Sequence, residues 1–301
     1  MPGNAMTSYH PIPDRAGSSH RSHAVHRVVL AILLAGGSVP AIAAQSHPQH
    51  APQHAPRVRL DRAQLETRLA GGTASRPPDL THADLSGLDL HGLDFHEADL
   101  SGASLDSTRL AGANLFNCNL TDASAVGADL SKANLDGTVL CRADLRRADL
   151  AGASLFATII EDADLSGADL SGTRIIGYLH KAKLVGARLA NANIGADPGN
   201  QSMGVMRATF VSADLSGADL SGANLYKADF SYASLAGAKL AHADLRNADL
   251  IQTDLTRADL TGARLAKADI AGANFTGAIG LDRIEGLAET RHREKAIFDA
   301  H

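Results

Sequence analysis

The sequence predicts an all-β solenoid, a chain that turns in short steps and stacks each coil on the one before. Three observations predict it. A Leu-type residue returns every five positions, from Leu80 to Ile175 and again from Phe210 to Phe275. A small residue, mostly Ala, stands two positions before nearly all of them. The composition has 45% hydrophobic residues but only 4% aromatic ones and no Trp, so the core is filled without large rings. Period five suits neither a helix, which needs 3.6, nor a strand, which needs 2. A chain that turns within every repeat brings each Leu and each Ala inward, and successive coils then hydrogen-bond about 4.8 Å apart.

The first 44 residues read as an export signal. Arg15, Arg21 and Arg27 precede an apolar run from Val28 to Val39, broken by Pro40. Ala41 and Ala43 then supply the small residues of a cleavage site, so the mature chain is expected to begin near Ala44 or Gln45. The alternative is an uncleaved anchor, although the run is short for a bilayer. Removing the leader, with its three Arg and one Asp, takes the net charge from −5 to about −7. A mildly acidic chain is not expected to bind nucleic acid nonspecifically. Residues 45–56, QSHPQHAPQHAP, form a Pro- and His-rich linker. Its His47, His50 and His54 have no second ligand set, and no metal or cofactor is expected.

Residues 57–77 are expected to cap the first coil. The segment RVRLDRAQLETRLA suits a short helix with Leu65 and Leu69 one turn apart, ended by Gly71-Gly72 and Pro77-Pro78. The solenoid then runs over 78–194 and 210–280. In its first series of 20 repeats only Ala125 replaces the large central residue; the second series of 14 has no gap. The small position of the second series is Ala in 13 repeats and Thr253 in the other.

The units Ala-Asp-Leu-Ser-Gly at 213–217 and 218–222, with the many Ala-Asp-Leu and Ala-Asn-Leu triplets, resemble the pentapeptide repeat family. The resemblance covers about 78–280. It implies a right-handed quadrilateral β-helix with four repeats per coil, the central residue and the Ala two before it pointing inward. Central residues four repeats apart then stack. Phe210 lies against Phe230, followed by Leu250 and Ile270; Phe95, Leu115, Leu135, Leu155 and Ile175 form another inner column.

Between the two series, Leu179, Leu184, Leu189 and Ile194 are displaced by one residue, and an interruption covers 195–209. Its core, GADPGNQSMGVM at 195–206, carries turn chemistry at Asp197 and Asn200 and adaptable contact residues at Met203 and Met206. It is a candidate partner-binding loop or a tolerated insertion. A second candidate is an outward column of His96, Phe116, Asp136, Phe156 and Ile176, in which Phe116 and Phe156 could seed a contact patch unless they are scattered surface apolars. Residues 281–301 hold two stretches, LDRIEGLAE and TRHREKAIFDA, expected to be short helices that cover the last coil through Ile284, Leu287, Ile297 and Phe298. Self-association through this segment, giving a homodimer, is the alternative use.

Nothing in the chain reads as catalytic. There is no HExxH, GxSxG or Gly-rich phosphate loop, and His82, His91, His96, His180 and His242 are spread along the outside. The Asp before most central residues repeats too regularly to supply two distinct carboxylate environments. Cys118 replaces an inward Ala and Cys141 falls outside, a poor geometry for a disulfide. Some members of the family mimic DNA and bind gyrase, which requires a long acidic stripe. Here the expected columns are broken: one reads Asp89, Arg109, Asp129, Asp149, Asp169 and another Asp219, Lys239, Asp259, while Asp229, Asp249 and Asp269 make a short continuous one. The sequence is therefore read as an exported, non-enzymatic scaffold that binds a protein or envelope component and has no membrane span after cleavage. A cytoplasmic gyrase-binding DNA mimic is the alternative if the leader is misread, and an enzyme a more distant one.

Overall fold

The computed structural model describes residues 57–73, 75–95, 97–196 and 207–299. The expected leader, the linker, His96 and the four candidate residues Asp197, Asn200, Met203 and Met206 lie outside the described residues.

Nearly every described repeat makes the same local bend. The residue after the central Leu begins a turn, and the next takes a left-handed conformation, such as Gly217 at φ 67°. The N–H of the following Ala then donates to the carbonyl of the central residue, as Ala218 does to Leu215 at 3.0 Å. Glycine meets that φ without strain, and Asn or Asp is the usual substitute. The Asp before the Leu fixes the bend from outside. Its carboxylate accepts the N–H two residues on, as Asp214 does from Ser216 and Asp99 from Ser101, both at 3.0 Å. The repeated Asp thus shapes the turn as well as carrying charge.

These bends put one bridging position in every repeat, and each bridges in parallel to its counterpart four repeats on, as Asp84 to Ser104 and Asp99 to Asn119. Four repeats therefore close one coil. The bridges define four faces, named here from their first full-coil members: the first through Asp84, the second through Asp89, the third through Asp94 and the fourth through Asp99. Each rung carries paired backbone bonds, for example Leu100 N–H to the Asn119 carbonyl at 2.8 Å and Asn119 N–H to the Ala98 carbonyl at 3.1 Å. The central residues and the Ala positions line one continuous core from Leu60 to Phe275. Phe210 and Phe230 stack with centroids 4.9 Å apart and planes 12° apart, as the expected inner column requires. Where Thr replaces Ala inside, its hydroxyl is used: Thr253 Oγ1 donates to the Phe230 carbonyl at 2.8 Å and Thr138 to that of Leu115 at 2.8 Å.

At the N-terminal end, β1 (Val58–Arg59) pairs in parallel with β2 (Ala83–Asp84). A helix, α1 (Arg62–Ala70), follows. Asp61 and Gln64 form a reciprocal capping box, which starts the helix at Arg62 and leaves Arg57 to Leu60 of the expected helical segment outside it. Leu65 and Leu69 of α1 join the core.

The C-terminal segment corrects the expectation from sequence. Residues 281–299 hold three single 3-10 turns, Leu281–Arg283, Leu287–Glu289 and Arg293–Lys295, in place of two short α-helical stretches. They extend the solenoid by one coil of longer steps: Ile279, Glu285, Arg291 and Ile297 bridge back to Asp259, Arg264, Asp269 and Asn274. The physical reason is a left-handed residue every six positions, Gly280, Gly286 and His292, which stops any α-helix from propagating. Ile284 and Phe298 pack on the core, and Phe298 stacks on Phe275 at 5.0 Å. Leu287 is half-buried, whereas Ile297 faces outward, 53% exposed.

One corner, between the third and fourth faces, departs from the rule. There β3 (Ser154–Ile159), which keeps its bend at Ala157 (φ 59°), pairs in parallel with β4 (Arg174–Tyr178), which runs on without a left-handed residue. The step from Ile175 to Leu179 is one residue short, so the bridge from Asp164 falls on Lys183 and that from Asp169 on Arg188, each one position early. One coil later, at the same corner, Tyr178 bridges across the insertion to Thr209, and the regular step returns between Thr209 and Asp229. The deletion and the insertion both occur at this corner, and the stack continues through both.

Candidate interaction surface

The third–fourth corner also gathers the side chains that break the surface pattern. Gly177 lies so close to Thr158 that a Cβ there would stand 2.5 Å from its carbonyl oxygen. Outside the deletion, Tyr178 and Cys141 pack against Ile159 in a small cluster separate from the main core. Tyr178 meets His180 edge-on at 6.0 Å.

Below the insertion, the corner carries Arg207, Lys227, Asn247 and Lys267 on successive coils, beside the fourth-face column Asp229, Asp249 and Asp269. Arg207 spans two rungs, donating from Nη2 to Asp229 at 2.9 Å and from Nη1 to Asp249 at 2.5 Å. Arg291 reaches up from the terminal coil to Asp249 at 3.2 Å and Asp269 at 3.8 Å. His292 Nδ1 lies 2.9 Å from Asp269, which is 6% exposed. Burial opposes the charge of Asp269, but hydrogen bonds from His292 and Ala271, with the charges of His292 and Arg291, hold its carboxyl below the usual range. Asp249 thus joins the returning end of the insertion to the terminal coil. This clasp was not anticipated from the sequence, because Arg207 and Arg291 each lie about two coils from Asp249 along the chain. The available signal was a separation of two coils plus two residues on each side, the offset lying around the corner for Arg207 and in the longer terminal steps for Arg291.

The outward column of the sequence analysis is only partly a surface. Phe116 is 44% exposed. Phe156 is half-buried, with the Arg174 guanidinium 4.4 Å above its ring. Ile176, expected outside, is buried at 2% exposure, because the shortened corner leaves it in a continuous strand instead of a turn. Apolar contact on this face therefore reduces to Phe116 and the edge of Phe156.

The histidines are dispersed. His82 and His242 lie over Gly102 and Gly262 of the next coils, and His91 bonds Asp89 at 2.7 Å. Among the described residues no three His, Cys, Asp or Glu side chains group to hold a metal. Both cysteines are free thiols. Burial pushes the Cys118 thiol up, and that of Cys141 to about 11. Several turn-fixing carboxylates are held below the ordinary Asp range: Asp84 and Asp259 by hydrogen bonds from Ser86 and Thr261, and Asp144 by the Arg146 guanidinium. The second-face column is broken as expected: it runs through Arg109, Arg188 and Lys239, which pair with Asp89, Asp169 and Asp219 one coil away.

The family model for pentapeptide repeats matches eight copies, over residues 79–112, 108–147, 133–172, 206–240 and 243–279. The chain belongs to the pentapeptide repeat family. The matches break off at residue 172 and resume at 206, a gap that takes in the shortened step and the insertion. Among solved structures, the chain is similar to HetL, a pentapeptide repeat protein of the cyanobacterium Nostoc involved in heterocyst differentiation regulation. The two are 33% identical over 79% of this chain and 99% of HetL, with a TM-score of 0.64. A pentapeptide repeat protein of the Arabidopsis thaliana thylakoid lumen is 32% identical over 31% of this chain and 65% of its own, at a TM-score of 0.31. QnrB1, a plasmid-mediated fluoroquinolone resistance protein, is 18% identical over 70% of this chain and 94% of its own, at 0.36. At those scores the latter two add nothing to the fold. No curated protein matches the chain.

Proposed function

We propose that this chain is an exported, non-catalytic pentapeptide-repeat scaffold that mediates protein–protein interaction in the cell envelope. The observation that carries the proposal is where irregularity lies. A solenoid that only had to stack would keep one step length at every corner. Here the core is continuous, while the deletion, the insertion and a two-coil arginine clasp all fall at the third–fourth corner. Irregular segments on a rigid scaffold are the usual carriers of binding. The insertion, with Asp197, Asn200, Met203 and Met206, is the primary contact, and Phe116 and Phe156, on earlier coils of the same corner, are secondary.

Several readings go with this one. The coil is right-handed, α1 and the terminal coil close its two ends, and residues 1–44 direct the chain to the periplasm or outside the cell. No helix among the described residues is long and apolar enough to cross a membrane. The broken second-face column and the arginines over Asp229, Asp249 and Asp269 weigh against a DNA-mimicking, gyrase-binding role, which needs an uninterrupted acidic stripe.

Cell fractionation with sequencing of the mature N-terminus tests export; an intact chain in the cytoplasm defeats it. Cross-linking in envelope extract, with the wild type and a variant in which 197–206 is replaced by a short Gly-Ser linker, tests the contact. Loss of a specific cross-linked partner with unchanged melting supports the assignment. Identical partner sets remove the insertion from it.

A further inference from the structure

Cations on this solenoid commonly meet an acid one coil away in their own column. Arg142 pairs with Asp122, Arg109 with Asp89, Lys239 with Asp219 and Arg264 with both Asp244 and Glu285. The corner column Lys227, Asn247, Lys267 departs from this. Its middle rung is neutral, and neither lysine has an ion-pair partner among the described residues. The three acids beside it are already engaged: Arg207 takes Asp229 and Asp249, Arg291 takes Asp249 and Asp269, and His292 takes Asp269. Lys227 does have a neighbour in the Tyr226 ring, 5.3 Å from its Nζ, but a ring face leaves the charge in place.

These residues line a groove of about 520 Å³, formed by Arg207, Lys227, Asn247, Asp249, Lys267 and Arg291. Four cations face one carboxylate there. Including Asp229 and Asp269 still leaves one positive charge in excess. A second groove, about 670 Å³, carries one Arg and one Asp, Arg257 and Asp299, and has no such excess. The groove floor is fixed by the coil ladder, through Lys227 N–H to the Arg246 carbonyl and Asn247 N–H to the Ala266 carbonyl, both at 3.1 Å. The two lysines stand two coil spacings apart, roughly 10 Å. A small group seated over Asn247 is within reach of both flexible stems and of the Asn amide.

We propose that this groove binds a compact, doubly charged oxyanion of the phosphate type, held between Lys227 and Lys267 over Asn247, with Arg207 and Arg291 closing its two ends. The phosphate can come free in solution or as the headgroup of an anionic phospholipid. Recognition is charge-assisted hydrogen bonding from ammonium, guanidinium and amide donors, and it weakens as salt rises. The assignment depends neither on export nor on a protein partner.

The test titrates inorganic phosphate into the full chain by calorimetry, in a low-salt buffer free of phosphate, with chloride as the control anion. The comparison is the Lys227→Asn/Lys267→Asn double variant. Asn suits both left-handed corner positions, φ 61° and 63°, so the variant keeps its fold, which an unchanged melting curve verifies. The expected result is saturable phosphate binding that chloride does not reproduce and that the double variant weakens about tenfold. Absence of saturable binding, or equal binding by the variant, overturns the proposal. Flotation with phosphatidylglycerol and phosphatidylcholine vesicles separates the two sources. Phosphatidylglycerol capture that phosphate competes away points to the headgroup, and phosphate binding without capture to the free ion. Capture that phosphate neither matches nor displaces also overturns the site.

Discussion

Replacing Ala218 with Leu puts three extra carbon atoms into a core that has no room for them. Ala218 is fully buried and sits in the second-face column between Ala187 and Ala238. Its carbonyl accepts the Lys239 N–H at 2.9 Å and its own N–H bonds Leu215 at 3.0 Å, so the backbone on both coils is committed. The coil cannot widen at one rung without lengthening those bonds. Overpacking of this kind costs about 1–3 kcal/mol. For a domain of this length, ~2 kcal/mol lowers the melting point by roughly 4–8 °C. The control is Ser216→Leu, two positions earlier on the outside of the solenoid. It loses only a half-exposed bond between the Ser216 and Ser234 hydroxyls, 2.8 Å long, worth about 0.5–1 kcal/mol. Thermal melting by far-ultraviolet circular dichroism compares the two variants with wild type. A clear ordering, Ala218→Leu below Ser216→Leu, is expected. Equal melting points would refute the inward assignment of the Ala column and, with it, the packing account of the fold.

Four further outcomes follow from the same geometry. Gly177→Ala drives a Cβ against the Thr158 carbonyl and should cost ~2–3 kcal/mol, whereas Gly217→Ala, with nothing within 4 Å, should cost only the left-handed strain of about 1 kcal/mol; melting of both variants checks the order. Asp249→Asn removes the acid shared by Arg207 and Arg291, and ~1 kcal/mol of local destabilisation should speed hydrogen exchange of the Phe275 amide, which bonds Ile297 at 2.7 Å, about fivefold. Asp84, Asp144 and Asp259 titrate lower folded than unfolded, so their stabilisation is complete above the unfolded value near 3.9 and is lost as pH falls below it; a melting point that holds or rises below about pH 4 would contradict the turn-fixing role. Cys141, with its thiol near 11, should alkylate at about pH 8 far more slowly than an exposed cysteine, and Cys118 only after unfolding; mass spectrometry after iodoacetamide treatment reads both.

The repeat was legible because one physical requirement recurs. Every coil needs a large side chain and a small one inside, so the Leu and Ala series appear in the sequence at the spacing of the corners. Thr253 and Cys118 fit the same small position, and the inner Phe210–Phe230 stack follows from counting four repeats. Legibility ends where counting does. Ile176 was placed outside by its distance from Ile175, but the missing residue near Gly177 turns that corner into a strand. The stretches LDRIEGLAE and TRHREKAIFDA suit short helices, while Gly280, Gly286 and His292 impose a period of six. That period is visible in the sequence once bridging is known, yet too few steps are present to announce it. The clasp on Asp249 was hidden for another reason: Arg291 lies in the coil of longer steps, where counting by fives no longer locates neighbours.

The corner that carries these departures is also the one that carries the functional proposals, and the two facts have one cause. A repeat sequence is free to vary outside as long as each coil closes, so outward residues drift and leave scattered exposed apolars such as Val185 and Tyr232. Closure itself is not free. After the shortened step the chain bridges regularly at Lys183, Arg188 and Asn193, and the insertion then returns it to the same corner at Thr209. The stack itself calls for no added residue there, since the regular step had already resumed. The returning end is then held by Arg207 across two rungs, a bond set that serves position more than fold, since the rungs already pair through their backbones. Extra length at an already offset corner, anchored at a defined point beside a groove with surplus positive charge, is what a binding surface built on a rigid stack requires.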